Sequence, residues 1–248
     1  MTQDRITRPN TIHHPKLIAH RGYTPVAPEN SLPAFEAAGK EGFWAIETDV
    51  HKSLDGVLVC NHDPATDRMY DGSGAIAQMT YDGLMRLRLA AGDGLEGYPE
   101  EALRMPTFRE YLAICKRYGA VPFIETKTED IAAVLEEACR YFEEKDVVIS
   151  SFCEEHLLMA RQISEKVFLH HIFSTPDTMR RLGQLGYCGV SYNYPVYKDF
   201  PQALLRETHD AGVLLCLRAG DTPQAVREMI RMGLDYIPTN CMTNSRTL

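Results

Sequence analysis

Positive charge is scarce in this chain: 26 lysines and arginines stand against 34 aspartates and glutamates, a net charge of −8. Phosphate backbones bind a basic face, so the chain as a whole does not read as a nucleic-acid binder, although a local basic pocket stays open to it. Long apolar runs are missing as well. The longest uncharged stretch, Leu182 to Tyr197, is broken by Gly, Gln, Asn, Ser and Pro and could not sit in lipid. There is no polybasic cluster and no basic amphipathic helix, so no stable membrane association is expected. The opening residues, MTQDRITRPN, lack an apolar core and read as a loose lead-in rather than a signal peptide. The seven cysteines are odd in number and contain no C-x-x-C pair. That argues against a disulfide framework and for reduced, mostly buried thiols in a cytoplasmic protein.

What is present is an ordinary globular composition, 44% apolar and 24% charged over 248 residues. Short β-branched runs fall at 16–20, 44–50, 57–61, 121–126, 147–151, 167–172, 188–192, 213–217 and 235–238. Helix signals lie between most of them. Ser31, the capping box Thr107-x-x-Glu110, Thr128, Thr175-Pro176 and Thr222-Pro223 mark helix starts, and Gly119 and Gly233 mark stops. Strand–helix alternation means parallel strands with helical crossovers. The expectation is an α/β chain, one domain over 1–248, folded as a TIM (β/α)8 barrel with a small insertion after the third strand. Nine runs exceed the eight that a closed barrel needs. The 44–50 and 57–61 runs are joined only by a tight Ser-Leu-Asp-Gly link, so one of that pair is expected off the regular pattern. The insertion, about 64–106, has three turn signals around one short helix over 81–89.

Four strand ends carry ionisable residues: His20-Arg21-Gly22, Glu47-Thr48-Asp49, His62-Asp63 and Glu125-Thr126-Lys127. In an α/β barrel the carboxyl ends of the strands build the active face. Strand periodicity points Glu47 with Asp49, and Glu125 with Lys127. If these faces point inward, three carboxylates converge with two histidines, Arg21 and Lys127. Such a trio is costly to bury without a cation, and oxygen ligands suit Mg²⁺ or Ca²⁺ better than zinc. Arg21 and Lys127 beside a metal make a pocket for phosphate. Alone, each motif is as easily a turn or a solvated strand end; their shared position at strand ends is what carries the reading. Cys60 reads as packing rather than nucleophile. His51 lies past its strand end. His170-His171 end a strand, where one of them could border the pocket, and Tyr192, Tyr194 and Tyr197 read equally as pocket lining or rim packing.

Taken in order, these motifs resemble the glycerophosphodiester phosphodiesterase family, whose barrel is shared with phosphatidylinositol-specific phospholipases C. The matching features are His20-Arg21-Gly22 with Pro28-Glu29-Asn30-Ser31, Glu47-x-Asp49, Asp55-Gly56 leading to His62-Asp63, Asp67-Arg68 with Gly72-x-Gly74, Glu125-x-Lys127, Ser151-Phe152 and Thr239-Asn240. The resemblance implies one divalent cation, Mg²⁺ or Ca²⁺, on Glu47, Asp49 and Glu125. It makes His20 and His62 the general acid–base pair, Arg21 and Lys127 the phosphate-binding cations, and Glu29 and Asn30 supports of the first loop. The implied partner is a small glycerophosphodiester, cleaved to sn-glycerol 3-phosphate and an alcohol. Two departures stand out: Leu215-Cys216-Leu217-Arg218 replaces the family's tryptophan–threonine pair, and Asn240-Cys241-Met242 replaces its aspartate-x-proline ending. Two rival readings remain: a lysophospholipase D-like phosphodiesterase, which needs an apolar strip at the barrel mouth, and a non-catalytic binding barrel, which would be expected to lack a motif residue.

Overall fold

Every β-branched run becomes a strand. In the computed structural model, which describes residues 5–217 and 221–243, these are β1 (Leu17–Ala19), β2 (Ala45–Lys52), β3 (Leu58–Cys60), β4 (Val121–Thr126), β5 (Val148–Ser151), β6 (Phe168–His171), β7 (Cys188–Tyr192), β8 (Leu214–Leu217) and β9 (Ile237–Thr239). Eight lie side by side in the order β8-β7-β6-β5-β4-β2-β1-β9, with parallel pairing along the path. The two ends of that path meet where the Asp235 amide donates to the Leu215 carbonyl at 2.9 Å. The Asp235 carboxylate accepts the Leu215 amide in return at 2.7 Å. The result is a nearly closed barrel of eight parallel strands.

β3 is the ninth run and pairs antiparallel with β2. The cause is the length of the link. Ser53 to Gly56 cannot hold a crossover helix, and the Ser53 amide closes a hairpin on the Val57 carbonyl at 2.9 Å, with Gly56 at φ +87°. The chain then enters the insertion, where α2 (Tyr81–Leu84) is shorter than the 81–89 helix expected. Leu89 pairs instead with Tyr70 and donates its amide to the Leu103 carbonyl at 2.8 Å, which takes that backbone out of the helix. Met69, Tyr70, Ile76, Leu84 and Met105 pack together against Val59 of β3 as a small apolar cluster.

The remaining helices are α1 (Leu32–Lys40), α3 (Phe108–Tyr118), α4 (Ile131–Cys139), α5 (Glu154–Ile163), α6 (Pro176–Leu185), α7 (Gln202–Asp210) and α8 (Pro223–Met232). Ser31, Thr107, Thr175 and Thr222 cap α1, α3, α6 and α8, and Thr107 completes its box with Glu110. α4 differs from expectation. Asp130, not Thr128, caps it, because the Thr128 hydroxyl accepts the Asp130 amide at 3.2 Å instead. The main core lies between strands and helices; a second lies inside the barrel. Tyr192 and Tyr194 pack against Phe200, so they serve the rim rather than a pocket.

The lead-in is not loose over its described part. Ile6 is fully buried inside the barrel against Ile18, Ala45, Val121, Phe168 and Tyr236, closing the amino end of the strands. Lys16 Nζ donates to the Ile6 carbonyl at 2.6 Å and Asn10 Nδ2 to the Leu234 carbonyl at 3.1 Å, fixing the segment. A single isoleucine in a polar decapeptide gives no periodicity, which is why the sequence hid it. Ile6→Ala should therefore destabilise the protein by about 2–5 kcal/mol in urea unfolding. A loose segment would show no change.

Candidate active site

At the carboxyl end of the barrel, Asp49 of β2 stands in register beside Glu125 of β4, and Glu47 lies two residues back on the same face. Their ligand oxygens lie within 4.8 Å of one another. The side chains are nearly sealed: relative exposure is 6% for Glu47, 1% for Asp49 and 9% for Glu125. Burial, then Asp49 and Glu125, push the Glu47 carboxyl well above its ordinary range. Burial and Asp49 raise Glu125 too, with Lys127 opposing. Glu47 Oε1 is buried without a hydrogen-bond partner. A buried, oxygen-only cluster with an orphaned carboxylate oxygen fits a hard divalent cation.

The β1–α1 loop turns two residues into left-handed backbone, Arg21 at φ +59° and Asn30 at φ +49°. That bend aims the Arg21 amide at Glu47 Oε2, 2.7 Å away. Gly22 follows at φ +83°, where an added Cβ would lie 2.7 Å from the Ala34 Cβ of α1, so the loop can close only on glycine. Asn30 Nδ2 donates to Asp49 Oδ2 at 2.9 Å while its Oδ1 accepts the Thr48 hydroxyl at 2.7 Å. The Arg21 guanidinium bonds Glu29 at 3.1 Å and lies 3.7 Å from Asp49. Lys127 pairs with Glu125 and, at 3.2 Å, with Asp49. Burial pulls the Lys127 ammonium down, but these two carboxylates more than reverse it and hold it above its usual value.

His20, Arg21, Glu47, His62 and Glu125 line one cavity at the barrel mouth. His62 Nδ1 is held by Asp63 at 2.6 Å, which leaves Nε2 for proton exchange. Asp63 is held by Arg68, and Arg68 by Glu29 at 2.6 Å, so a chain of charges runs from the Arg21 loop to the histidine. Burial opposes ionisation of Glu29, but Arg68 and Arg21 outweigh it and hold the carboxyl below its usual range. A second, polar cavity adjoins the first, with His20 and Arg21 bordering both.

A family model described as the glycerophosphoryl diester phosphodiesterase family matches residues 20–243. The chain belongs to that family. Among relatives, glycerophosphodiester phosphodiesterase 1 of Mus musculus is 34% identical over 155 residues, 60% of this chain and 46% of its own. The chain thus spans about half the length of the mammalian relatives it matches. Glycerophosphodiester phosphodiesterase of Bacillus subtilis is 30% identical over 246 residues, covering 90% of this chain and 82% of its own. A phosphodiesterase from Oleispira antarctica, solved in complex with the product sn-glycerol-3-phosphate, aligns over 94% of each chain with a TM-score of 0.80 and 25% identity.

Within this family barrel the seven residues read from the strand ends come together, and Glu29 and Asn30 grip them from the first loop. His51 stays outside: its Nε2 contacts the His62 carbonyl at 3.3 Å. Of the histidine pair, His170 borders the cavity while His171 bonds the Phe152 carbonyl at 3.1 Å. Cys60 is buried, which raises its thiol and suits packing. Cys216, within the stretch that replaces the family's tryptophan–threonine pair, lines the cavity; Arg218 lies outside the described residues. Asn240 donates to the His20 carbonyl at 2.9 Å, so the altered ending still reaches the first strand. The sequence alone assigns Asp63 and Arg68 no role, although both fall in family motifs, His62-Asp63 and Asp67-Arg68. Their contact depends on the insertion folding back over the mouth, which no spacing encodes.

The raised Glu47 has a measurable consequence. Its folded form binds a proton that the unfolded chain releases, so the stability it adds is present below its ordinary value of 4.5 and lost as pH rises through the raised one. In chelator, the stability of wild type relative to Glu47→Gln should therefore fall as pH climbs from about 4.5. Parallel pH curves for the two proteins would show that Glu47 is not strained by burial.

Proposed function

We propose that this chain hydrolyses glycerophosphodiesters to sn-glycerol 3-phosphate and an alcohol, using one divalent cation, Mg²⁺ or Ca²⁺, held by Glu47, Asp49 and Glu125. The observation that carries the reading is the buried carboxylate trio, paired with Lys127, beside a cavity of a family barrel that Glu47, Glu125, His20, His62 and Arg21 line. The Oleispira relative's bound sn-glycerol-3-phosphate supports the same substrate class. With every carboxyl ionised, Glu29, Glu47, Asp49, Asp63 and Glu125 would outnumber Arg21, Arg68 and Lys127 by two charges. A bound dication would supply that difference and screen charge building on the phosphoryl oxygens.

The chain's own residues do the rest. Arg21, bonded to Glu29 beside Asp49, and Lys127, paired with Asp49 and Glu125, would turn their remaining N–H groups to the phosphoryl oxygens. His20 and His62 exchange protons, one with the attacking oxygen and the other with the leaving oxygen. His62 does so at Nε2, since Asp63 holds Nδ1. Asn30 keeps Asp49 turned toward its partners.

A lipid substrate has one observation in its favour. Phe152, half exposed, and Phe173 meet edge-to-face at 5.4 Å beside the cavity. Two rings cover only the first part of an acyl chain. Met69, Tyr70 and Leu84, the insertion's candidates for a strip, are buried in its own cluster. No helix among the described residues is long and apolar enough to cross a membrane.

Chelator should abolish release of glycerol 3-phosphate, and Mg²⁺ or Ca²⁺ should restore it and raise the melting temperature of wild type but not of Glu47→Gln. His20→Ala and His62→Ala should each lose about 10²–10⁴-fold in kcat with unchanged melting, and each should lose one limb of a bell-shaped pH profile. Full activity of Glu47→Gln in chelator would end the metal reading. For substrate size, kcat/KM for a deacylated diester should exceed that for the matching lysophospholipid by at least ~10-fold below its micelle concentration. The reverse order would make the lipid the substrate.

A further inference from the structure

The row of residues that contains two of the carboxylates continues round the barrel. Asp49 pairs in register with Glu125, Glu125 with Ser150 of β5, Ser150 with His170 of β6, and His170 with Gly189 of β7. The row changes character half-way. Asp49 and Glu125 bring carboxyl groups; Ser150 and His170 bring a hydroxyl and an imidazole, sealed inside the protein at 1% and 3% exposure. Glu125, Ser150 and His170 all line the same cavity.

Ser150 Oγ has no hydrogen-bond partner although it is buried. An unsatisfied buried hydroxyl is costly to leave, and such groups mark places where something else bonds. His170 is fixed from behind: its Nδ1 meets the Tyr236 hydroxyl at 2.6 Å and its ring lies edge-on to Phe123, with centroids 5.2 Å apart. Burial, with His171 adding to it, lowers its pKa to about 3, so the ring is neutral. Space for Tyr236 comes from Gly189, where an added Cβ would lie 2.1 Å from the tyrosine oxygen. A position cleared on one strand to hold a ring on the next indicates a built wall rather than leftover volume. Ile18, Phe123, Cys216 and Pro238 give the cavity apolar sides.

We infer that Ser150 and His170 form a neutral subsite that receives an uncharged hydroxyl of the substrate's glycerol arm, setting preference for a polyol over a deoxy arm. A hydroxyl both donates and accepts, so it satisfies the serine and either tautomer of the histidine. A carboxylate or ammonium would enter an apolar-sided site with no countercharge on this half of the row. Ser150 stands one strand from Glu125, about 4.8 Å across the sheet, so an arm attached to a phosphate at the carboxylates reaches it directly. The inference rests on the glycerophosphodiester reading above.

The test uses the full chain with Mg²⁺ and two diesters sharing one alcohol. One carries glycerol; the other carries propane-1,2-diol, which lacks the terminal hydroxyl. Wild type should prefer the glycerol diester in kcat/KM, and Ser150→Ala should reduce that preference at least ~10-fold, because a site built for a hydroxyl discriminates strongly against its absence. Calorimetric binding of glycerol 3-phosphate against propanediol phosphate should show the same collapse. Ser150→Ala should melt no lower than wild type, since it removes an unpaired group. His170→Gln, which keeps a neutral hydrogen-bonding side chain, should retain more of the preference than His170→Leu. An unchanged preference in Ser150→Ala would overturn the subsite while leaving the hydrolysis reading intact. A wild type that cleaves neither diester and binds neither phosphate would overturn both.

Discussion

The mutual repulsion of three buried carboxylates is the constraint on which the carboxyl end of this barrel depends. Glu47, Asp49 and Glu125 are drawn together by strand register and strand periodicity, not by attraction. Everything around them acts against the resulting charge. Arg21 bends into left-handed backbone to give Glu47 an amide, Asn30 does so to give Asp49 a donor, and Lys127 bridges Asp49 and Glu125. The strain of those two backbones is tolerated because the surrounding contacts fix them. The same loop then starts α1 at Ser31, so the helix that packs the outside of the barrel begins where charge is being balanced inside it.

From that cluster the charges extend outward in alternating sign, through Arg21, Glu29, Arg68 and Asp63 to His62. The insertion supplies Arg68 and folds on its own apolar cluster. It therefore tethers one histidine to the first loop, although the two are far apart along the chain. The antiparallel β3 is part of the same arrangement: it carries the chain off the barrel so that His62, just beyond it, returns over the mouth.

Much of this was legible in the sequence because it obeys short periods. β-branched runs marked all nine strands, and i, i+2 spacing aligned Glu47 with Asp49 and Glu125 with Lys127. Cap residues placed four helix starts and missed at α4, where Asp130 rather than the expected Thr128 accepts the first-turn amide. What escaped was long-range. Ile6 reaches into the barrel floor, Arg68 meets Glu29 across the loop gap, and Ser150 becomes notable only because nothing bonds it. No local pattern separates a lone isoleucine, arginine or serine with such a role from one without it.

Gly189 and Tyr236 illustrate how a packed interior links distant positions. The glycine's φ is unexceptional; what requires glycine there is the tyrosine oxygen in the space a methyl group would need. The two positions act as one steric unit, and their substitutions are not independent. Gly189→Ala alone drives a methyl into the hydroxyl that holds His170, whereas paired with Tyr236→Phe it meets its nearest remaining neighbour, Phe168 Cζ, at 3.0 Å. Replacing the histidine would remove the partner of the hydroxyl, and with the hydroxyl gone its demand for glycine at 189 would go too. Gly189 of β7, His170 of β6 and Tyr236, just before β9, thus stand as one steric and hydrogen-bonded unit, in which a change at any one alters what the other two must satisfy.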